Sequence, residues 1–313
     1  MVMVQFPVSI VDLPKTGVLT DDPSPCPQMD SAACPQMRHR PAGNVQLPPG
    51  AETSQVGESP DPRLTLPAPV SLLGLPIVPW RHYEVIHVID WLVGRGEPSY
   101  FVTANLHYAR LSATIPALKA VNDHAAFIVA DGMPLVWLSR WRRKPLPERI
   151  TGADLIWSMC ELAANRGYRV FLLGGAPGVA ETAGQRLQAR LRGLQIAGIA
   201  APCLDTLTPL ERTRLITQIR QARPDILFAA FGQPKGELWL AEHIQELGVP
   251  VAVQIGAALD FVAGRVRRAP RFVQRMGLEW AYRTLQEPRR LLPRYLADGW
   301  FFLCQLMRSS PRS

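Results

Sequence analysis

Asp225-Ile-Leu-Phe-Ala-Ala-Phe231, then Gly232-Gln-Pro-Lys-Gly-Glu237, then Val249-Pro-Val-Ala-Val-Gln-Ile255 carry the reading of the fold. Ile226 to Phe231 is apolar at every position, which is what a strand covered on both faces requires. The turn that follows is rich in glycine and proline, and Pro234–Leu247 has a helical pattern with its proline near the first turn, where a missing N–H costs nothing. A second buried run closes the unit. Strand, turn, helix and strand make a βαβ unit, and such units build parallel sheets.

Working outward, the same alternation covers the middle of the chain. Buried-type runs recur at Tyr100-Phe-Val-Thr103, Ala126-Phe-Ile-Val-Ala130, Arg169-Val-Phe-Leu-Leu173 and Gln195-Ile-Ala-Gly-Ile199, with helical patterns at Gly152–Arg166, Pro177–Arg192 and Pro209–Ala222. The spacing predicts an α/β domain over residues 69–264: a Rossmann-like, mostly parallel sheet with helices on both faces and its ligand crevice at the carboxyl ends of the strands. Residues 1–68 read differently. Many of the 30 prolines fall between Pro7 and Pro79, and the stretch has no apolar period, so it is expected to be a disordered leader. Its first residues have neither a basic n-region nor a long apolar h-region, which argues against a secretory signal.

The net charge of +8 is not spread evenly. From Arg265 onward there are eleven arginines, no lysine and three acids, so residues 265–313 carry the whole excess and the chain before them is neutral. This predicts a basic C-terminal helical appendage that seeks phosphate, whether of a nucleotide, an anionic lipid or a nucleic acid. The five cysteines are odd in number, widely spaced and without a CxxC pair, as in a reducing cytosol. No apolar run reaches 18 residues, so no transmembrane helix is expected.

Polar and glycine residues gather at the expected strand ends: Thr103-Ala-Asn105, Asp131-Gly132, Gly174-Gly-Ala-Pro-Gly178 and Gly232-Gln-Pro-Lys-Gly-Glu237. The glycines fit either tight βα turns or the wall of a shared crevice. Gly174 and Gly175 open a helix and could receive a diphosphate on backbone amides, but the turn has neither GxGxxG spacing nor a P-loop ending. Asp131 fits two roles, a general base taking a proton from a hydroxyl or a helix N-cap. His107, His124 and His243 have no ligand or triad spacing, and HExxH, GxSxG and an acidic pair at a strand end are all absent. The expected metal and cofactor complement is therefore none.

The ordered set Thr103-Ala-Asn105, Ala130-Asp-Gly132, Arg149-Ile-Thr-Gly-Ala-Asp-Leu155, Leu173-Gly-Gly175, Phe231-Gly-Gln-Pro-Lys235 with Glu237, and Gly256-Ala-Ala-Leu-Asp-Phe-Val-Ala-Gly264 closely resembles the WecG/TagA/CpsF glycosyltransferases. The match continues through Arg268-Ala-Pro270, Gly277-Leu-Glu-Trp280, Tyr282-Arg283, Glu287-Pro-Arg-Arg290 and Arg294-Tyr295, and covers about residues 72–300. The resemblance implies an inverting, metal-independent transfer of N-acetylmannosamine, or its uronic acid, from a UDP-sugar donor to a polyprenyl-diphosphate-linked amino sugar in cell-surface or exopolysaccharide synthesis. It implies Asp131 as general base, Thr103, Asn105 and Arg149 at the substrate, and Arg283, Arg290 and Arg294 at the UDP diphosphate; the strand-end turns add Gly174 and Gly175 at the diphosphate and Gln233 at the substrate. One position departs from the family, which usually has glutamine where this chain has Gly236. That leaves a contact to sugar or nucleotide missing, or supplied by Gln233, and bears on donor identity.

Mixed aromatic, leucine and arginine segments at Trp280–Leu285, Leu291–Leu296 and Trp300–Leu303 fit an interfacial helix on an anionic membrane surface or an amphipathic helix packed on its own domain. The first reading places the protein in the cytoplasm, peripheral on the inner face of the plasma membrane. A non-catalytic polysaccharide-assembly scaffold is a second class, for which Gly236 argues. A nucleic-acid-binding module is a third, against which the absence of lysine from the tail counts, so nucleic acid is not an expected partner. The sequence sets no oligomeric state.

Overall fold

The computed structural model describes residues 61–308. The expected leader, 1–68, lies outside the described residues up to residue 60; Pro62–Leu64 form a short 3-10 turn, and the Arg63 guanidinium stacks on Trp91. In chain order the elements are β1 (Val70–Leu72), β2 (Leu75–Ile77), α1 (His82–Arg95), β3 (Tyr100–Ala104), α2 (Leu106–Thr114), α3 (Ala117–His124), β4 (Ile128–Ala130), α4 (Met133–Trp141) and α5 (Gly152–Arg166). They continue with β5 (Arg169–Gly174), α6 (Val179–Arg190), β6 (Gln195–Ala200), α7 (Pro209–Ala222), β7 (Ile226–Ala230), α8 (Lys235–Leu247) and β8 (Val251–Gln254). The last elements are α9 (Ala258–Ala263), α10 (Arg271–Arg275), α11 (Glu279–Gln286) and α12 (Pro288–Arg308).

The eight strands form one sheet in the order β1-β2-β4-β3-β8-β7-β5-β6, parallel throughout except for the β1–β2 edge hairpin. Side chains alternate between faces along a strand, so each strand feeds two cores. Phe101, Val170, Leu172 and Phe228 point to the layer built by α1, α5, α6 and α9, while Val102, Phe171, Leu173 and Leu227 point to the layer of α2, α3, α4, α7 and α8. The expected Rossmann-like sheet with helices on both faces is thus the observed one.

Local chemistry sets the element ends. Thr208 and Glu211 form a reciprocal capping box with Pro209 in the first turn of α7, and Thr151 caps α5 by accepting from the Asp154 N–H at 3.1 Å. Gly167, in the left-handed conformation, ends α5. Pro250 has no N–H to donate, and β8 starts one residue after it.

The topology places the site. Strand β3 continues through α2 and α3 to β4 on one side, whereas its other neighbour, β8, arrives from β7 on the opposite side. The carboxyl ends of β3 and β8 therefore flank a point where the chain turns away in both directions, the place where open α/β sheets leave a crevice. The C-terminal appendage lies across it: α12 packs on α11 and on α2. Leu291 and Asp298 of α12 are buried, and Phe301, Phe302 and Leu306 pack against the second core.

Candidate active site

A cavity of about 970 Å³ opens at these strand ends. Thr103 and Asn105 enter it from β3, Asp131 and Gly132 from β4, Gly175 from β5, Phe231 and Gln233 from β7, and Gly256 and Ala257 from β8, while Arg283, Arg290 and Arg294 line it from the appendage. Nine of the ten anticipated site residues thus share one cavity. Gly174 does not line it: a Cβ there would sit 2.9 Å from the Ala230 carbonyl oxygen, so its place is a close approach of two backbones beneath the floor.

Asp131 is held by its backbone, whose N–H donates to the Ala104 carbonyl at 2.7 Å, and does not cap α4, where Gly132 takes the N-cap position with no side-chain bond. Its carboxylate meets the cavity with protein packed around it. Burial raises its pKa to about 7; the nearby Arg149 charge pulls it down, Glu279 pushes it up and the Gly152 N–H pulls it down again. A carboxylate poised there takes a proton far more readily than an ordinary aspartate does. Asn105, in contrast, is a helix cap, accepting from the Tyr108 N–H at 3.0 Å, and the Thr103 hydroxyl donates to the Gln254 carbonyl at 3.1 Å.

Arg149 is spoken for. Its Nη1 donates to Glu279 Oε2 at 2.8 Å, and Glu279 also lies 3.4 Å from Arg268 Nε. Arg268 reaches back to Asp154 with two bonds, at 2.6 and 2.9 Å. On the other flank Asp298 of α12 accepts from Arg110 Nε at 2.7 Å and lies 3.1 Å from His107 Nδ1. Burial alone would raise the Asp298 pKa, yet the bonds from His107 and Arg110 hold it low. These acid–base contacts pin the appendage over the cavity from two sides.

The three appendage arginines are less fully engaged. Arg290 pairs with Glu287 at 2.5 Å on the surface, whereas Arg283 Nε and Arg294 Nε are buried without a hydrogen bond, Arg294 Nε lying in a longer ion pair 3.8 Å from Asp298 Oδ2. Arg283 sits over the Phe261 ring at 5.4 Å, and burial lowers the pKa of Arg294. Buried guanidinium N–H groups without an acceptor carry a desolvation cost that an anion in the cavity would offset.

Beneath the floor lies a carboxylate from the strand-end stretch Gly232–Glu237, to which sequence reasoning assigns no role of its own. Glu237 is 2% exposed and both its oxygens lack a hydrogen-bond partner. Burial raises its pKa to about 8 against a partial pull from the Gln233 amide. Gln233 Nε2 in turn donates to the Thr103 carbonyl at 3.4 Å. At Gly236 a Cβ would fall 2.5 Å from Gln254 Cδ, so the Gln254 side chain fills the space that a side chain at 236 would need. Glu279, Arg268, Asp154 and Gln254 were not singled out as site residues because their partners are distant in sequence. A second basic stretch, Arg140 to Lys144 beyond the half-exposed Trp137 of the cavity wall, was hidden by the neutral total of the chain before residue 265.

A cavity at the carboxyl ends of the strands of an open, mostly parallel sheet is where α/β folds bind their ligands. The model of the "Glycosyl transferase WecG/TagA/CpsF family" matches residues 70–313, and the chain belongs to that family of glycosyltransferases. It is also 32% identical over 217 residues, 68% of this chain and 82% of the relative, to an N-acetylglucosaminyldiphosphoundecaprenol N-acetyl-beta-D-mannosaminyltransferase of Bacillus spizizenii.

The Glu237 environment predicts a pH signature. The folded chain keeps this proton up to about pH 8, whereas an unfolded glutamate releases it near 4.5, so wild-type stability falls as pH rises between those values. Glu237→Gln removes the penalty. Thermal unfolding should show the variant more stable than wild type at pH 8, with the gain vanishing near pH 4.

Proposed function

We propose that the protein transfers N-acetylmannosamine, or a closely related sugar such as its uronic acid, from a UDP donor to a polyprenyl-diphosphate-linked amino sugar in cell-surface polysaccharide synthesis. The observation that carries the reading is the single cavity that sets Asp131 on the β4 side and Arg283, Arg290 and Arg294 on the appendage side. The named activity of the Bacillus relative supplies the sugar and the class of acceptor.

In this reading the donor diphosphate rests near Gly175 and the appendage arginines, with the sugar by Thr103, Asn105 and Gln233. The acceptor hydroxyl oxygen attacks the anomeric carbon from the face opposite the diphosphate. As the new C–O bond forms, Asp131 takes the hydroxyl proton, and the bond to the β-phosphate oxygen breaks with its electron pair leaving on UDP. One displacement inverts the anomeric centre. Negative charge grows on the departing diphosphate, and the Arg283 and Arg294 guanidinium groups, whose Nε–H make no hydrogen bond within the protein, oppose it, the electrostatic work that a metal ion does in other transferases. Gln254 lies beneath the cavity in the space beside Gly236, where the chain departs from the family pattern, and donor choice is where that difference would register.

The appendage also supports a membrane reading. Leu292, Leu296, Trp300, Leu303 and Met307 form an exposed stripe along α12 at helical spacing, opposite the face that packs inward, and Leu285 of α11 and Phe272 of α10 are exposed as well. Among the described residues no helix is long and apolar enough to cross a membrane. An apolar stripe edged by arginines instead suits a helix lying in the headgroup layer of an anionic membrane, on the cytoplasmic face where the lipid-linked acceptor would be met.

Asp131→Asn should cut UDP release in an assay with UDP-N-acetylmannosamine and a short-chain prenyl-diphosphate N-acetylglucosamine by about 10²-fold or more, with the fold retained. Turnover near wild type would remove Asp131 from the base role. Vesicles containing phosphatidylglycerol should sediment the protein at low salt, and Leu296→Ser with Trp300→Ser should abolish this without changing the circular dichroism. Equal sedimentation of variant and wild type would sink the membrane reading.

A further inference from the structure

The appendage brings an acid to the site as well as arginines. Ile150 donates its N–H to the carbonyl of Ala130 at 2.8 Å, which ties the chain carrying Arg149 to the residue just before Asp131. Arg149 is thereby a near neighbour of Asp131, and its charge acts on that carboxylate. Yet its guanidinium turns to Glu279 of α11, at 2.8 Å, with both side chains only 15% exposed.

Charge balance explains why that choice matters. Arg149, Arg268, Asp154 and Glu279 form a cluster with two positive and two negative charges, joined by ion pairs of 2.6 to 3.4 Å. The charged groups that act on Asp131 are Arg149, from the loop before α5, Asp154 of α5 and Glu279 of α11, with Arg268 behind them. Without Glu279 the cluster has one positive charge in excess, and with Asp154 already held by two bonds from Arg268, Asp131 is the carboxylate on which the Arg149 charge is left to act. A buried arginine paired with it would make Asp131 a poor proton acceptor.

We propose that Glu279 is a positioning residue: it holds Arg149 in an ion pair and thereby keeps Asp131 free to accept the proton of the acceptor hydroxyl. The inference rests on Asp131 being the base. Because Glu279 belongs to the appendage, the base reaches full strength only when α11 is seated, which is also when Arg283, Arg290 and Arg294 stand ready for the diphosphate. Deprotonation and leaving-group stabilisation are thus switched on by one docking event, and an open site with bound donor has little power to activate water.

The test is the pH profile of kcat/KM, whose acid limb reports the base of the free enzyme. Activity needs Asp131 ionised, so the wild-type limb should fall away below about pH 7. In Glu279→Gln the freed Arg149 pairs with Asp131, and the limb should move to lower pH by about one pH unit or more while the plateau drops at least ~10-fold. Arg149→Gln should move the limb the other way, upward, and the double variant should return it to or above the wild-type position. A Glu279→Gln enzyme with a lowered plateau and an unmoved limb would show a purely structural strut and overturn the proposal. Should that variant fail to fold, the Arg149→Gln limb decides alone: an unmoved or lowered limb overturns it. Asp131→Asn separates the two ideas, since activity retained there defeats the base assignment itself, whereas an inactive Asp131→Asn with an unmoved Glu279→Gln limb defeats only the role of Glu279.

Discussion

The pairing of β3 with β8, Tyr100 beside Ala252 and Phe101 beside Val253, joins the two halves of the sheet. One half is β1-β2-β4-β3 and the other β8-β7-β5-β6, and their connections leave this seam in opposite directions. Every site residue of the core is measured from that seam. Asp131 comes from the strand next to β3, Gln233 from the strand next to β8, and α5 starts against β8, where a Cβ on Gly152 would lie 2.9 Å from the Ile255 carbonyl oxygen. A shift of register by one residue would turn the strand faces over and take the Thr103 hydroxyl away from the Gln254 carbonyl.

Electrostatics then divides the site into two sides. On one, burial keeps the carboxyls of Asp131 and Glu237 well above their usual range, an arrangement that weakens the fold at neutral pH and suits proton transfer. On the other, arginines are held in a partly buried appendage, and Arg283 and Arg294 have N–H groups without acceptors. Neither side is at its own stability optimum, and an anion in the cavity would relieve the arginine side. The ion pairs through Glu279 and Asp298 are what hold the sides together, one anchored on the segment before α5 and one on α2.

Much of this was legible in the chain because it is local. The bounds of α5 and α7 follow from Thr151 and Thr208 as caps and from the Gly167 and Arg223 left-handed ends, and the strand runs are apolar because both faces are covered. Ala126 and Phe127 read as strand yet precede β4, since the ladder between β3 and β4 begins at Ile128. The three-residue strands β1 and β2 are too short to show a period. What the sequence hid is long-range pairing. Arg149 and Glu279 lie 130 residues apart, and Arg268 and Asp154 lie 114 apart, so a count of eleven tail arginines cannot tell which are neutralised by the core and which face the cavity. The space at Gly236 was legible only as a missing side chain; that Gln254 fills it depends on the packing of α8 on β8.

In the proposed function, arginines carried by the appendage meet the charge of the departing diphosphate. It is tested most directly by the rate of transfer from UDP-N-acetylmannosamine to a prenyl-diphosphate N-acetylglucosamine in excess EDTA, for wild type and for the chain with Arg283→Gln and Arg294→Gln. The account predicts an unchanged wild-type kcat in EDTA and a drop of about 10²-fold or more in the double variant. A wild-type rate that collapses in EDTA and returns with magnesium or manganese, or a double variant that turns over normally, would contradict it.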